Sequence, residues 1–314
     1  SRPVTAFPNS QSIHAVTTLT TTTEIQVVIW DHWEDGYEID VYAPVQPSTL
    51  VLGDNIASNG DARNFGASDA AADRINVLTP AFRQNLLERE LAAEEKIVFI
   101  PNGADVDRFV PGPRDNAARQ ELGWGDRFVA MYAGAHGRAN ALDQLLDAGE
   151  HLRDRPDILI ASVGDGPERQ RLAEEAARRG LDNVVFHGAL PKERMPELVN
   201  ACDVGMAVLQ NNPTFRTVYP NKVFDYMACE RPTLLAIDGV ARELVCDEAR
   251  AGVFATPEDG QAVARELRKL ADHDHERRAM GQRGRAWVLE RAARPTLAQR
   301  YLEILEHLAK EPLP

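Results

Sequence analysis

The sequence predicts an α/β protein: a doubly wound parallel sheet with helices on both faces, preceded by a small β-rich segment. Three observations carry this. From Asp73 onward, short apolar runs alternate with amphipathic stretches, the pattern of a parallel sheet covered on both sides. Before that point the chain has nine acids, two bases and no lysine, and its apolar residues recur at every second position. At 314 residues and 44% apolar content there is material for one large domain or two of ordinary size. The expected domains are therefore residues 1–72, a β-rich segment of unknown role, and residues 73–314.

In the early segment, residues 24–30 and 37–42 alternate around the turn Glu34-Asp35-Gly36 and read as a β-hairpin. Residues 49–52 add a short strand ending at Gly53-Asp54, and Asn59-Gly60-Asp61 marks another turn. So few strands have little stability of their own and need cover. Residues 75–78 read as the next strand, followed by Thr79-Pro80, an N-cap with proline at the first helical position, and a helix over 81–90. Further strands are expected at 96–100, 128–133, 158–163, 184–186, 204–209 and 233–237, each short and apolar enough to be covered on both faces. A helix over 141–151 follows the first of the glycine-rich loops. Another over 168–179 turns Leu172 and Ala176 inward and stops at Gly180. The last helix, 296–308, puts Leu297, Tyr301, Ile304, Leu305 and Leu308 on one face.

Composition narrows the function. A formal charge of −13 argues against a nucleic-acid or anionic-membrane footprint, because phosphate surfaces select lysine and arginine patches. The three cysteines, Cys202, Cys229 and Cys246, show neither metal-site spacing nor an even count, so inert thiols in a reducing compartment are expected. No apolar run approaches the roughly 20 residues of a spanning helix. The first residue is not methionine, which suggests a trimmed or excerpted start.

Loops at strand C-termini share one edge of such a sheet, and chemistry is sought there. Three of these loops carry glycine. Gly134-Ala135-His136-Gly137-Arg138-Ala139-Asn140 precedes a helix, where small residues let amides approach a diphosphate and the helix dipole favours its charge. Tight βα turns also use glycine for geometry alone, and His136 read by itself is an ordinary loop histidine. Val163-Gly164-Asp165-Gly166-Pro167 repeats the arrangement after the next strand, and His187-Gly188-Ala189-Leu190 follows the one after. The stretch Pro220-Asn221-Lys222-Val223-Phe224-Asp225-Tyr226-Met227-Ala228-Cys229-Glu230-Arg231-Pro232 sets polar groups at the mouth of a helix before a buried strand. A carboxylate at Asp225 can accept from two adjacent ribose hydroxyls. The plainer alternative for Lys222 and Asp225 is an i,i+3 pair on a solvated helix face.

Together these motifs resemble the donor-binding half of the GT-B glycosyltransferases, in particular the family-4-like group that uses nucleotide sugars. Ile100-Pro101-Asn102-Gly103-Ala104-Asp105 with Phe109 resembles the element after that family's interdomain linker, and Trp287 with the last helix resembles its terminal helix. The resemblance runs from about residue 73 to 310. It implies a Rossmann-like fold, with Gly134, Ala135, His136, Gly137 and Asn140 at the donor phosphates or sugar. Gly164 and Gly166 would shape the cleft, Gly188, Ala189 and Leu190 would meet the base through their backbone, and Asn221 would join them. Lys222 would place positive charge on the leaving diphosphate and Asp225 would hold the ribose. The family's Glu-x7-Glu pair is incomplete, since Thr217 stands where its first acid is expected, as in a subgroup with a similar Pro-Asn-Lys run. Upstream, Asp31-His32-Trp33-Glu34-Asp35-Gly36-Tyr37-Glu38 with Pro44-Val45-Gln46 resembles a segment of bacterial surface proteins built of β-sandwich repeats. Its acids and His32 suit a hard cation such as calcium, but their order matches no defined loop, and a solvated hairpin tip is the simpler reading.

The resemblance therefore implies a transferase that moves a sugar from a UDP-, GDP- or ADP-sugar to a glycan or lipid-linked acceptor. Retention at the anomeric carbon is expected by analogy, with no metal and no further cofactor. The implied setting is glycan biosynthesis in the cytoplasm or at the inner membrane face. The family's acceptor-binding domain should precede Asp73, and residues 1–72 are too few to rebuild it. An uncovered apolar face on residues 75–78 and on the terminal helix is expected to invite self-association or a partner chain. The alternative is a nucleotide-sugar-binding module without turnover, a truncated or chimeric remnant acting through protein contact.

Overall fold

The computed structural model describes residues 73–308 in full and, upstream, the backbone of strands β1 (Ile25–Ile29), β2 (Ile39–Asp40) and β3 (Ser48–Gly53). The run from Asp31 to Glu38 and the turn at residues 59–61 lie outside the described residues. β1 and β2 pair antiparallel over Val28↔Asp40 and Ile29↔Ile39, as a hairpin would. The larger ladder of β1 is parallel, along all of its length with β3. β3 in turn pairs parallel with β4 (Arg74–Val77), and β4 with β5 (Ile97–Phe99), giving a five-stranded sheet of order β2-β1-β3-β4-β5.

β4 and β5, expected in series with the later strands, thus belong to this first sheet. α1 (Pro80–Glu88) lies between them in sequence; its N-cap Thr79 accepts the Phe82 amide, and Pro80 opens the helix. α1 covers the strands. Ile75, Val77, Phe82, Leu86 and Ile97 form one small core, with Val218 from a distant loop against it. The bare face expected at residues 75–78 is therefore absent, because a helix that follows its strand directly folds back on it.

The second sheet is parallel throughout and has the order β11-β10-β9-β6-β7-β8. Its strands are β6 (Phe128–Ala133), β7 (Ile158–Val163), β8 (Val184–Phe186), β9 (Val204–Val208), β10 (Thr233–Ala236) and β11 (Gly252–Phe254). The helices between them are α2 (Ala117–Glu121), before β6, α3 (Asp143–His151), α4 (Arg169–Arg179), α5 (Met195–Ala201), α6 (Asn221–Ala228) and α7 (Val240–Arg242), which runs into a π-helical turn at Glu243–Glu248. After β11 come α8 (Gly260–Asp272), α9 (Asp274–Arg291) and α10 (Arg294–Leu308). Both faces of the sheet are buried, since alternate residues of one strand enter different cores. Phe128, Ala130 and Tyr132 join Leu145, Leu146 and Leu267, whereas Val129, Met131 and Ala133 join Phe224, Met227 and Val288.

The chain returns to the first sheet through a clasp. The Ala104 amide donates to Ala292 O at 2.8 Å, and the Arg294 amide to Ala104 O at 2.9 Å. From there α10 runs back, and the buried Asn76 donates to the Tyr301 hydroxyl at 2.5 Å. Leu297 and Leu308 are buried, while Tyr301, Ile304 and Leu305 stay partly exposed. Among the described residues no helix is long and apolar enough to cross a membrane.

One glycine within a strand has a packing cause. A Cβ on Gly205 of β9 would lie 2.3 Å from the Tyr226 ring, which fills the space beneath. Gly205→Ala is expected to destabilise the fold by about 1–3 kcal/mol through overpacking. Urea unfolding should show a lower midpoint with an unchanged slope.

Candidate functional site

The strand order of the second sheet reverses between β6 and β9, and in sheets of this kind the crevice that takes ligands lies at the carboxyl ends of the strands at such a reversal. The ladder between them ends at Tyr132↔Met206. Beyond it, the Ala133 amide donates to the Tyr226 hydroxyl at 3.2 Å, and that hydroxyl reaches Met131 O and Met206 O at 3.4 Å each. Burial raises its pKa well above the ordinary value, so it remains a neutral donor and acceptor.

Above this floor, the three glycine loops are stitched together. The Gly134 amide donates to Val163 O at 2.9 Å and the Gly164 amide to Gly188 O at 2.8 Å. The His136 amide meets Asp165 O at 2.8 Å, and Glu168 returns a bond to His136 O at 2.9 Å. Gly164 has a φ of +141° and its missing Cβ leaves room for Gly134 O, which a methyl would approach to 1.9 Å. The amides of Ala135, Gly137, Arg138 and Ala139 make no hydrogen bond among the described residues. Successive unpaired amides in a turn can form a concave nest for an anion. Asn140 is buried at its foot, bonded through its amide to Gly137 O, and the Gln210 amide on the far side of the crevice donates to Ala139 O at 2.9 Å.

His136 lies at the centre of these interlocked loops. Its side chain is fully buried beneath the loop, with Nε2 2.7 Å from Ser162 Oγ, and burial lowers its pKa. The other ring nitrogen, Nδ1, is buried without a hydrogen-bond partner among the described residues. The second loop lies against the backbone of His136, and a Cβ on Gly166 would stand 2.8 Å from it, so glycine is needed at that contact. Gly188 is held by its bond to Gly164, while the Ala189 and Leu190 amides are without hydrogen bonds among the described residues.

α6 brings its N-terminus to the crevice. No side chain among the described residues caps Asn221–Ala228; the Val223 amide donates to Pro220 O at 3.0 Å, while the Asn221 and Lys222 amides, at the positive end of the helix dipole, make no hydrogen bond there. Asn221 Oδ1 accepts from Asn102 at 2.8 Å. Lys222 is partly buried, its Nζ 4.1 Å from the Tyr132 ring centroid and 2.7 Å from the Cβ that Gly134 lacks. Burial lowers its pKa to about 7. Asp225, one turn on, is also partly buried, and burial raises its carboxyl to about 7 against the pull of Arg294 and Arg108. Neither Lys222 nor Asp225 has an ion-pair partner among the described residues, so the pair is not a solvated surface bridge. The structure thus joins Lys222 to the Gly134 loop, whereas Asp225 faces the side of Asp105, Arg108 and Arg294. Tyr132 and Tyr226 were not singled out by sequence reasoning; glycine inside the apolar strand β9 was the available signal for the second.

Residues 114–287, more than half of the chain, match the family described as Glycosyl transferases group 1. The chain belongs to this family. Among curated members it is 30% identical over 211 residues to the GDP-mannose-dependent alpha-(1-6)-phosphatidylinositol monomannoside mannosyltransferase of Mycolicibacterium smegmatis, covering 66% of this chain and 55% of that one. To the putative colanic acid biosynthesis glycosyl transferase WcaI of Escherichia coli K12 it is 28% identical, over 50% of this chain and 38% of that one. The chain therefore spans about half, or less, of the length of these relatives. Among solved structures, Anabaena HepE in complex with UDP superposes with a TM-score of 0.73 at 20% identity, covering 83% of this chain and 72% of that one. A glycosyltransferase from Rickettsia africae gives 0.70 at 16%, over 84% and 71%. These superpositions show a shared GT-B fold, in which the second sheet is the Rossmann-like half.

Cys202, Cys229 and Cys246 are free, with burial raising each thiol to about 12. No group of three metal-binding side chains occurs among the described residues.

The interlock of the first two loops gives a test. Gly164→Ala should cost about 1–3 kcal/mol, since the methyl would meet Gly134 O. Gly123→Ala, at a positive φ with nothing within 4 Å, should lose only the backbone part, about 1 kcal/mol. Urea unfolding of both variants compares the two costs.

Proposed function

We propose that the crevice between β6 and β9 binds the diphosphate of a nucleotide sugar, and that this family member transfers the sugar to a glycan or lipid-linked acceptor. One observation carries the reading: among the described residues four amides of the Gly134 loop and the first two of α6 make no hydrogen bond, and Lys222, with no ion-pair partner there, reaches the Gly134 position. Amides, a helix dipole and an ammonium together stabilise charge that develops on a departing diphosphate, and they need no metal for it. The Ala189 and Leu190 amides are the donors offered to a base. Asp225 takes the ribose hydroxyls in this reading. UDP appears with HepE and GDP-mannose in the name of the mycobacterial relative, so UDP and GDP are the first probes, with ADP beside them. Retention at the anomeric carbon belongs to the proposal by analogy, as does a cytoplasmic placement next to a lipid-linked acceptor.

The charge states make binding depend on pH in a defined direction. Lys222 is cationic below its lowered pKa of about 7, and Asp225 is anionic above its raised pKa of about 7. Phosphate binding wants the cation and ribose binding the anion, so affinity for a nucleoside diphosphate should peak near pH 7 and fall on either side. Calorimetry from pH 5.5 to 8.5 should show this. Lys222→Met should flatten the alkaline limb and Asp225→Asn the acid limb, each with a loss of roughly 10-fold or more at pH 7. Absence of binding for UDP, GDP and ADP alike would sink the reading, and sugar release to an acceptor would separate an enzyme from a binding module.

A further inference from the structure

We propose that Tyr132 is the positioning residue of this site: its ring face holds the Lys222 ammonium at the crevice, and its hydroxyl holds the first glycine loop beside it. The inference rests on the reading of the crevice as a diphosphate site. Tyr132 is fully buried in β6, at the last rung shared with β9. Lys222 Nζ stands 4.1 Å from the centroid of its ring, within the range of a cation–π contact. Its hydroxyl donates to Ala135 O at 2.6 Å. A single side chain therefore touches both groups that would meet the phosphates, and these come from segments almost ninety positions apart in the chain.

The other charged or titratable groups around Lys222 do not replace this contact. Asp225 lies one turn along α6, towards Arg108 and Arg294. His136 lies in the glycine loop, with its proton affinity lowered by burial, and Asp165 pairs with Arg169 at 2.9 Å. None of them bonds Lys222 among the described residues. The hydroxyl bond restrains Ala135, the residue next to the Gly134 position that Lys222 Nζ crowds. Ring and hydroxyl have separable tasks. Tyr132→Phe keeps the ring and removes the tether, while Tyr132→Met removes both and still fills the core.

The test reads each task without a ligand. Competitive acetylation across a pH series, followed by peptide mass spectrometry, gives titration midpoints for the five lysines of the chain. In Tyr132→Met the Lys222 midpoint should fall by about 0.5–1 pH unit, with Lys269 unchanged, and in Tyr132→Phe it should stay in place. Amide hydrogen exchange should rise at residues 134–140 in Tyr132→Phe by roughly 3- to 10-fold, as loss of one hydrogen bond implies. Circular dichroism checks folding, and Tyr132→Leu substitutes if the methionine variant does not fold. An unmoved Lys222 midpoint without the ring, or an equal shift in Tyr132→Phe, overturns the ring's role. Unchanged exchange in Tyr132→Phe overturns the tether. Calorimetry of the unaltered chain with UDP, GDP and ADP judges the donor-site reading separately, because neither ligand-free readout depends on it.

Discussion

The hydroxyl of Tyr226 fills the gap where β6 and β9 part, and the site above depends on it. A parallel sheet that splits leaves strand amides without partners, and an orphaned buried amide costs about 1–3 kcal/mol. Here the Ala133 amide turns to the phenol oxygen, which lies between both strands at their point of separation. Gly205 makes room for the ring. The point of separation is thus satisfied from below. In the loop above it, the amides of Ala135, Gly137, Arg138 and Ala139 make no hydrogen bond among the described residues.

Burial sets the electrostatics of this rim. Lys222 and Asp225 are each shifted towards their neutral forms by removal from water, in opposite directions and to about the same value. Neither has an ion-pair partner among the described residues, so desolvation is not offset there. A fixed salt bridge at the same positions would have to be broken before phosphate or ribose could enter. The i,i+3 spacing on α6 would allow such a bridge, yet Lys222 lies over Tyr132 and Asp225 turns to the linker.

Much of the second sheet is legible in the sequence. Residues 128–133, 158–163 and 184–186 are apolar runs between turn signals, and β6, β7 and β8 occupy those spans. Thr79-Pro80 declares the start of α1 through a local hydrogen bond and a fixed φ, neither of which needs tertiary context. Sheet membership is less legible, because β4 and β5 show the same local pattern whichever sheet takes them. The glycine loops could be located, but the direction of His136 could not, since its ring partner, Ser162 Oγ, lies in the neighbouring strand 26 residues later. For the same reason the burial of Lys222 was hidden: it depends on a ring from β6. Gly205 was a readable sign of a close approach, though not of which residue approached.

The clasp between Ala104 and Ala292 to Arg294 has a mechanical meaning. The chain passes between the two sheets once going out, near Gly103, and once returning, and hydrogen bonds hold the two crossings side by side. The Thr79 hydroxyl on Thr217 O and Asn76 on Tyr301 add two further ties between segments far apart in the chain. Each tie closes a long loop, whose entropic cost rises only slowly with its length. A pull on either sheet is shared among these bonds and the two at the clasp.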